Sequence, residues 1–288
     1  MVEPLSTSPE TLRERCARYG IRFKKSLGQN LLLDDNINRI MMESAGITGE
    51  DDVVEVGAGL GALTRRLAAH ARRVLAVEID ASFMPCLQDQ FGGMNHVTLF
   101  RGDILNHSLR DLAGTHFPSS TRLKMVSNLP YYITTPVLYH FLEAPVYFSD
   151  LAVMVQTEVG ERLVAEVNSD GYGVLTVAAR IRAEVSVIHR VPASCFVPRP
   201  KVESCIIHFQ CRMVDWVETS FMMKVVRAAF AQRRKTLHNS LVKSGSFGAP
   251  RTAITAAFAV AGIDPGRRPQ TLTIEEFSRL AGEIRARL

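Results

Sequence analysis

The chain predicts an α/β fold: an open, mostly parallel sheet with an antiparallel hairpin at one edge, followed by a small helical domain. Three observations carry that expectation. Short β-rich runs at 53–56, 74–79, 97–100, 123–126 and 151–155 alternate with helical stretches, at roughly the spacing of βα units. Two further strand-like runs, 185–191 and 204–209, are separated by the proline-rich Phe196-Val197-Pro198-Arg199-Pro200, which reads as a loop. They lie so close in sequence that they suggest a hairpin. From about residue 215 onward the apolar spacing is helical.

Taken in order, Ser8-Pro9-Glu10 resembles a helix start, with a cap, a proline in the first position and an acid in the first turn. Residues 1–18 are therefore expected to be an N-terminal helix or a mobile arm. A helical rhythm at 36–45 follows Asp34-Asp35, which can cap it. After the strands, helices are expected at 221–230, at 251–261 and from Thr273, where Glu275 and Glu276 occupy a first turn. The boundary is placed near 211–215, which gives a catalytic domain at 19–213 and a helical domain at 214–288. No internal repeat or low-complexity segment stands out.

Composition narrows the class. The 288 residues are 47% apolar and 22% charged, as in a globular protein. Five scattered cysteines form no Cys-x-x-Cys pair or Cys/His ligand cluster, so neither a disulfide frame nor a metal is expected. Glu3, Glu10 and Glu14 interrupt any secretory signal, and no apolar run approaches a membrane span. A soluble, cytoplasmic protein is expected. Its net charge of +5 is unevenly placed: residues 215–288 hold 12 Lys/Arg against 6 Asp/Glu, and the preceding 214 hold 22 against 23. That asymmetry favours a polyanionic partner for the helical domain.

The chemistry-bearing residues fall at strand ends. Glu55-Val56-Gly57-Ala58-Gly59-Leu60-Gly61 follows the first strand and opens a helix, so the backbone can turn sharply and approach a ligand. Glu78 ends the second strand, where a carboxylate can take both hydroxyls of a ribose. These residues alone fit an NAD enzyme and an S-adenosylmethionine enzyme equally. Asp103, just past the third strand, can accept a hydrogen bond from an adenine amino group and shifts the balance to S-adenosylmethionine.

The fourth strand ends in Asn128-Leu129-Pro130-Tyr131. The Asn128 side chain and a carbonyl of Leu129 or Pro130 can accept both hydrogens of an exocyclic amine, while the Tyr131 ring stacks on the base. Proline stiffens such a turn.

With these residues assembled, the chain resembles the ribosomal RNA adenine N6,N6-dimethyltransferases, most closely their bacterial small-subunit branch. The matching stretches are Lys25-Ser26-Leu27-Gly28-Gln29-Asn30, the Glu55 to Gly61 loop, Glu78, Asp103, Asn128 to Tyr131, Tyr172-Gly173, Phe196 to Ser204, and Phe230 to Leu237. The resemblance implies a Rossmann-like S-adenosylmethionine-dependent methyltransferase. It places cofactor contacts at Gln29, Asn30, Leu32, Gly57, Gly59, Glu78, Asp103 and Asn128, and it adds Phe196 to the base-stacking set. Two departures stand out: Leu31 replaces the usual aromatic after Asn30, and Arg267-Arg268-Pro269-Gln270 lacks the family's usual acid.

Adenine N6 needs no prior deprotonation. Acceptors that strengthen their hydrogen bonds as charge develops on the nitrogen act on the transition state. The target base must be unstacked or already in a loop. Lys24, Lys25, Arg227, Arg233, Arg234, Lys235 and Lys243 are expected to grip phosphates of small-subunit ribosomal RNA or a 30S precursor, with the enzyme a monomer and a participant in ribosome assembly. The alternatives are a large-subunit methyltransferase of the erythromycin-resistance type and a non-catalytic assembly factor.

Overall fold

The computed structural model describes residues 9–24, 28–118, 120, 122–232 and 234–288, with side chains from Glu14 onward. The expected Ser8 cap, Lys25, Ser26, Leu27 and Arg233 lie outside the described residues. The chain divides into two compact units, one of Met1–Gly160 with Val185–Cys211, the other of Glu161–Glu184 with Arg212–Leu288.

In the first unit the elements run α1 (Pro9–Arg18), β1 (Leu31–Leu32), α2 (Asp35–Ser44), β2 (Asp52–Val56), α3 (Ala62–His70), β3 (Arg73–Glu78), α4 (Met84–Phe91), β4 (Val97–Arg101) and α5 (Leu109–His116). They continue through β5 (Leu123–Asn128), α6 (Thr134–Leu142) and β6 (Asp150–Gln156) to the start of α7 (Thr157–Leu163). After α8 (Val174–Arg182) come β7 (Ala183–Val191), β8 (Phe196–Val197) and β9 (Ser204–Cys211). The main sheet has the order β4-β3-β2-β5-β6-β9-β7. Its first five strands are parallel, and β9 runs antiparallel to β6. The expected edge pair is therefore present, with β9 against the parallel block and β7 outermost.

Near-continuous apolar runs form these strands because helices cover them. Met41 of α2, Leu67 of α3 and Leu87 of α4 are fully buried in a cluster with Val53, Val74, Ala76 and Val126. Each such large side chain contributes about 1.5–3 kcal/mol by leaving water. One group of buried charges lies at the opposite end from the strand tips. Lys124 Nζ donates to the carbonyls of Ala45 (2.6 Å) and Gly46 (3.0 Å), and it lies 3.5 Å from Asp51 and Asp150.

The sheet reverses direction of growth between β2 and β5, where open α/β sheets bind ligands. Their ladder pairs Asp52 to Leu123, Val53 to Lys124 and Val54 to Met125. Beyond it the strands part, and Val56 N–H turns to the Ser127 hydroxyl at 2.8 Å. A small second sheet pairs Leu31 with Val197 and Leu32 with Phe196, which brings the proline loop to the Gln29-Asn30 segment. The sequence offers no alternation over two residues from which such strands can be read.

The second unit contains α8, α9 (Trp216–Phe230), α10 (Leu237–Ser244), α11 (Arg251–Ala261) and α12 (Ile274–Arg285). Asp215 caps α9 through the N–H groups of Val217 and Glu218, so that helix starts five residues before the expected 221. Helix α10, which lies outside the three ranges expected from the sequence, is capped by Thr236.

The division differs from a single cut at 213/214, because Glu161–Glu184 groups with the C-terminal helices. Tyr172 explains this: its ring is fully buried, 6.3 Å from the Phe230 ring, and its hydroxyl donates to the Leu272 carbonyl at 2.9 Å. The 267–270 segment also gains an account. Arg267 grips Glu276 at 2.6 and 3.0 Å, and Glu276 in turn forms a capping box with Thr273. Glu276 of α12, nine residues on, is thus the acid that Arg267 pairs with.

Candidate active site

One cavity of the first unit, about 1150 Å³ counted out to its open mouth, lies at the strand tips of β2, β3 and β5. Gln29, Asn30 and Leu32 line it from the segment at β1, and Gly57 and Glu78 line it from the glycine loop and β3. Asn128, Leu129, Pro130 and Tyr131 line it from the turn after β5, with Phe196 from β8. Gln29 and Phe196, 167 positions apart in sequence, thus share one space.

The glycine loop is held by the strands it joins. Gly57 N–H donates to the Val77 carbonyl at 2.8 Å, and Gly57 takes φ +82°. Gly59 does not line the cavity; its N–H binds Glu78 Oε2 at 2.8 Å. The other oxygen of Glu78 accepts Asp80 N–H, also at 2.8 Å. Burial raises the Glu78 pKa against the pull of these two donors. Glu55 is buried deeper. Burial, reinforced by the Glu78 charge and opposed by a 2.6 Å hydrogen bond from Thr64, pushes it up to about 8. It is therefore a neutral acid over most of the physiological range.

The Asn128–Tyr131 turn differs from expectation in one atom. Ile133 N–H and the Thr134 hydroxyl both donate to the Pro130 carbonyl at 3.1 Å, so that oxygen is engaged in starting α6. Of the acceptors expected in this turn, the Leu129 carbonyl and the Asn128 amide remain. The Tyr131 hydroxyl sits 2.7 Å from that of Ser204, and burial raises its pKa. Phe196 is 2% exposed and belongs to the core cluster as well as the cavity wall.

Other expected residues are placed differently. Asp103 does not line the cavity, and its Oδ1 caps the following turn through Leu105 N–H at 3.0 Å. Lys24, expected to face phosphates, donates to Asp80 at 2.8 Å. Gln29 uses its side-chain carbonyl on Lys24 N–H (2.7 Å) and its amide on Asp80 (2.8 Å). In the second unit, Arg227, Arg234, Lys235 and Lys243 are exposed.

Sequence reasoning passed over Tyr132, which lines the cavity at 42% exposure. Its pKa is raised by burial and then by the carboxylates of Asp103 and Glu78. The doublet Tyr131-Tyr132 was the available signal. Among the described residues no group of three or more His, Cys, Asp or Glu is placed to hold a metal. No described helix is long and apolar enough to cross a membrane.

A parallel sheet with a switch-point cavity, a glycine loop, a carboxylate at the next strand tip and an Asn-Leu-Pro-Tyr turn defines an S-adenosylmethionine-dependent methyltransferase directed at an amine of a flat base. The family model for ribosomal RNA adenine dimethylase matches residues 20–285. The ribosomal RNA small subunit methyltransferase A of Latilactobacillus sakei is 40% identical over 278 residues, covering 95% of this chain and 94% of that protein. The protein of the same name from Bacillus mycoides is 38% identical, with 96% of each covered.

Among solved structures, a dimethyladenosine transferase from Plasmodium falciparum superposes with TM-score 0.71 at 23% identity, covering 89% of this chain and 98% of that one. The 23S rRNA methyltransferase ErmE superposes with TM-score 0.62 at 26% identity, covering 88% and 99%. The chain belongs to the ribosomal RNA adenine dimethylase family. It is an S-adenosylmethionine-dependent rRNA adenine N6,N6-dimethyltransferase.

Proposed function

We propose that the substrate is small-subunit ribosomal RNA, methylated to N6,N6-dimethyladenosine at two adjacent adenosines near its 3′ end. The enzyme then acts in the cytoplasm as a monomer on a 30S precursor and takes part in ribosome assembly. The observation that carries this reading is that the Asn128 turn and the glycine loop open into the same cavity. The cofactor and the target amine thereby meet at one strand edge. The small-subunit assignment rests on the names of the two relatives above.

In this reading Gln29, Asn30, Leu32 and the loop at Gly57 and Gly59 form the cofactor cradle, Glu78 takes the ribose and Asp103 the adenine amine. S-adenosylmethionine supplies the activated methyl group. The chain supplies position: the Asn128 amide oxygen and the Leu129 carbonyl accept the two N6 hydrogens and orient the nitrogen lone pair toward the methyl. Both acceptors gain strength as N6 becomes positive, which lowers the barrier more than it stabilises bound substrate. Tyr131 and Phe196 hold the base between aromatic faces, a contact worth about 1–3 kcal/mol per base. The proton leaves to water after transfer. Arg227, Arg234, Lys235 and Lys243, with Lys25 and Arg233, hold the RNA backbone.

The test is transfer of labelled methyl from S-adenosylmethionine to unmethylated small and large ribosomal subunits, followed by nucleoside analysis. N6,N6-dimethyladenosine in small-subunit RNA is the expected product. Label confined to large-subunit RNA would overturn the substrate assignment, and no label in either would point to a non-catalytic assembly role.

A further inference from the structure

Asp80 is a charged residue that methyl transfer does not explain. Its side chain is fully buried two residues past the Glu78 carboxylate. A buried carboxylate is costly unless charge and hydrogen bonds compensate it, and here four donors do so. Oδ1 takes Lys24 Nζ at 2.8 Å, Ser82 N–H at 3.0 Å and the Ser82 hydroxyl at 2.9 Å. Oδ2 takes the Gln29 amide at 2.8 Å. Lys24 N–H closes the ring on Gln29 Oε1 at 2.7 Å.

The backbone of the same residue works on the cofactor side. Asp80 N–H holds Glu78 Oε1 and Gly59 N–H holds Glu78 Oε2, each at 2.8 Å. One residue therefore fixes a ribose-binding carboxylate through its main chain and the Gln29 segment through its side chain. Asn30, Leu31 and Leu32, which follow Gln29, line the cavity, and Leu32 pairs with Phe196.

We propose that Asp80 is a positioning residue that clamps Lys24 and Gln29, thereby docking the Asn30–Leu32 segment on the cofactor pocket and pre-setting the Glu78 carboxylate. Gln29 then holds its place in the cofactor cradle through Asp80. Such a clamp governs affinity for the nucleoside cofactor and leaves the chemical step alone. The inference rests on the reading that this cavity holds S-adenosylmethionine.

The test is calorimetric titration of the purified full chain with S-adenosylhomocysteine, paired with steady-state methylation. Asp80→Asn keeps the shape but loses the charge. The expected result is a Kd and a KM for the cofactor raised about tenfold, equivalent to about 1.4 kcal/mol, with kcat at saturating cofactor within about twofold of wild type. Hydrogen exchange at residues 29–32 should quicken while that of β3 stays slow.

Lys24 is half exposed, so Lys24→Met tests the clamp without burying a new charge. It should weaken S-adenosylhomocysteine binding in the same direction, and Lys24→Arg should restore it. Wild-type affinity in both Asp80→Asn and Lys24→Met, or a loss confined to kcat, would overturn the clamp. Failure of the wild-type chain to bind S-adenosylhomocysteine would overturn the cofactor reading and the clamp with it.

Discussion

Gly57 faces Pro130 across the switch point: a Cβ built on Gly57 would stand 3.1 Å from Pro130 Cδ and 3.2 Å from Cγ. The glycine loop after β2 and the Asn128–Tyr131 turn after β5 thus lie side by side, and the side-chain-free residue is what lets them approach. Gly57 also sits at φ +82°, where an L side chain costs about 1–2 kcal/mol.

Gly57→Ala is therefore expected to fail on two counts, backbone strain and displacement of Pro130. The melting temperature should fall by a few degrees, and both S-adenosylhomocysteine affinity and turnover should drop, because the shift reaches both halves of the site. Calorimetry on a variant that retains its fold checks this; wild-type affinity would refute the coupling.

Glu55 predicts an unusual pH dependence of stability. Its folded pKa is about 8, above the ordinary 4.5, chiefly through burial. Folding therefore favours the protonated acid. The contribution is fully present below the unfolded pKa and is lost as pH rises through about 8. Across that window this one group can lower stability by up to about 1.4 kcal/mol per pH unit. Urea denaturation of the cofactor-free protein at several pH values between 5 and 8.5, compared with Glu55→Gln, isolates it. The difference between the two proteins should grow in favour of the variant as pH rises; parallel profiles would refute it.

Much of this architecture is legible from residues alone, for identifiable reasons. Val53–Val56 and Leu123–Val126 announce themselves because buried parallel strands are uniformly apolar, and Gly57 and Pro130 because turns restrict residue type. Thr273 with Glu276 marks the start of α12 by local chemistry. What escaped reading depends on partners distant in sequence. The Lys24–Asp80 pair spans 56 positions and the Tyr131–Ser204 pair 73; nothing local to either end signals the other. Leu31–Leu32 forms a strand only because Phe196–Val197 arrives beside it. Lys24 was expected to serve RNA because an exposed lysine and a clamped one look the same in one dimension.

Asn128→Ala should separate binding from chemistry. In the proposed mode of binding the side chain offers one of the two remaining acceptors for the target amine, since the Pro130 carbonyl is already engaged. S-adenosylhomocysteine affinity should stay within a few-fold of wild type, while methyl transfer falls about 10²–10³-fold, as when a positioned transition-state hydrogen-bond group is removed. Single-turnover methylation of small-subunit RNA measures it, and an unchanged rate would remove Asn128 from the catalytic set.

Ser204 is fully buried at the start of β9 and holds the Tyr131 hydroxyl at 2.7 Å. A hydrogen bond of this kind is worth about 1 kcal/mol net, or about fivefold in rate if it serves only to fix the stacking ring. Ser204→Ala and Tyr131→Phe should each slow turnover by that order, and the double variant should be no slower than either, because both remove the same bond. Additive losses in the cycle would show that the two hydroxyls act separately.

The helical unit makes an electrostatic prediction. Arg234 and Lys235 are exposed in the segment just before α10, and the last 74 residues carry twice as many basic as acidic side chains. Contacts of this type hold phosphates and release counterions, so they weaken with salt and carry little sequence preference. Arg234→Ala and Lys235→Ala should each reduce affinity for small-subunit RNA at low salt and flatten the plot of log affinity against log salt by about 0.7–0.9. Because neither residue lines the cavity, S-adenosylhomocysteine affinity should not move. Filter binding of both variants across a salt series measures the slopes; slopes equal to wild type would place the RNA-binding surface elsewhere on the chain.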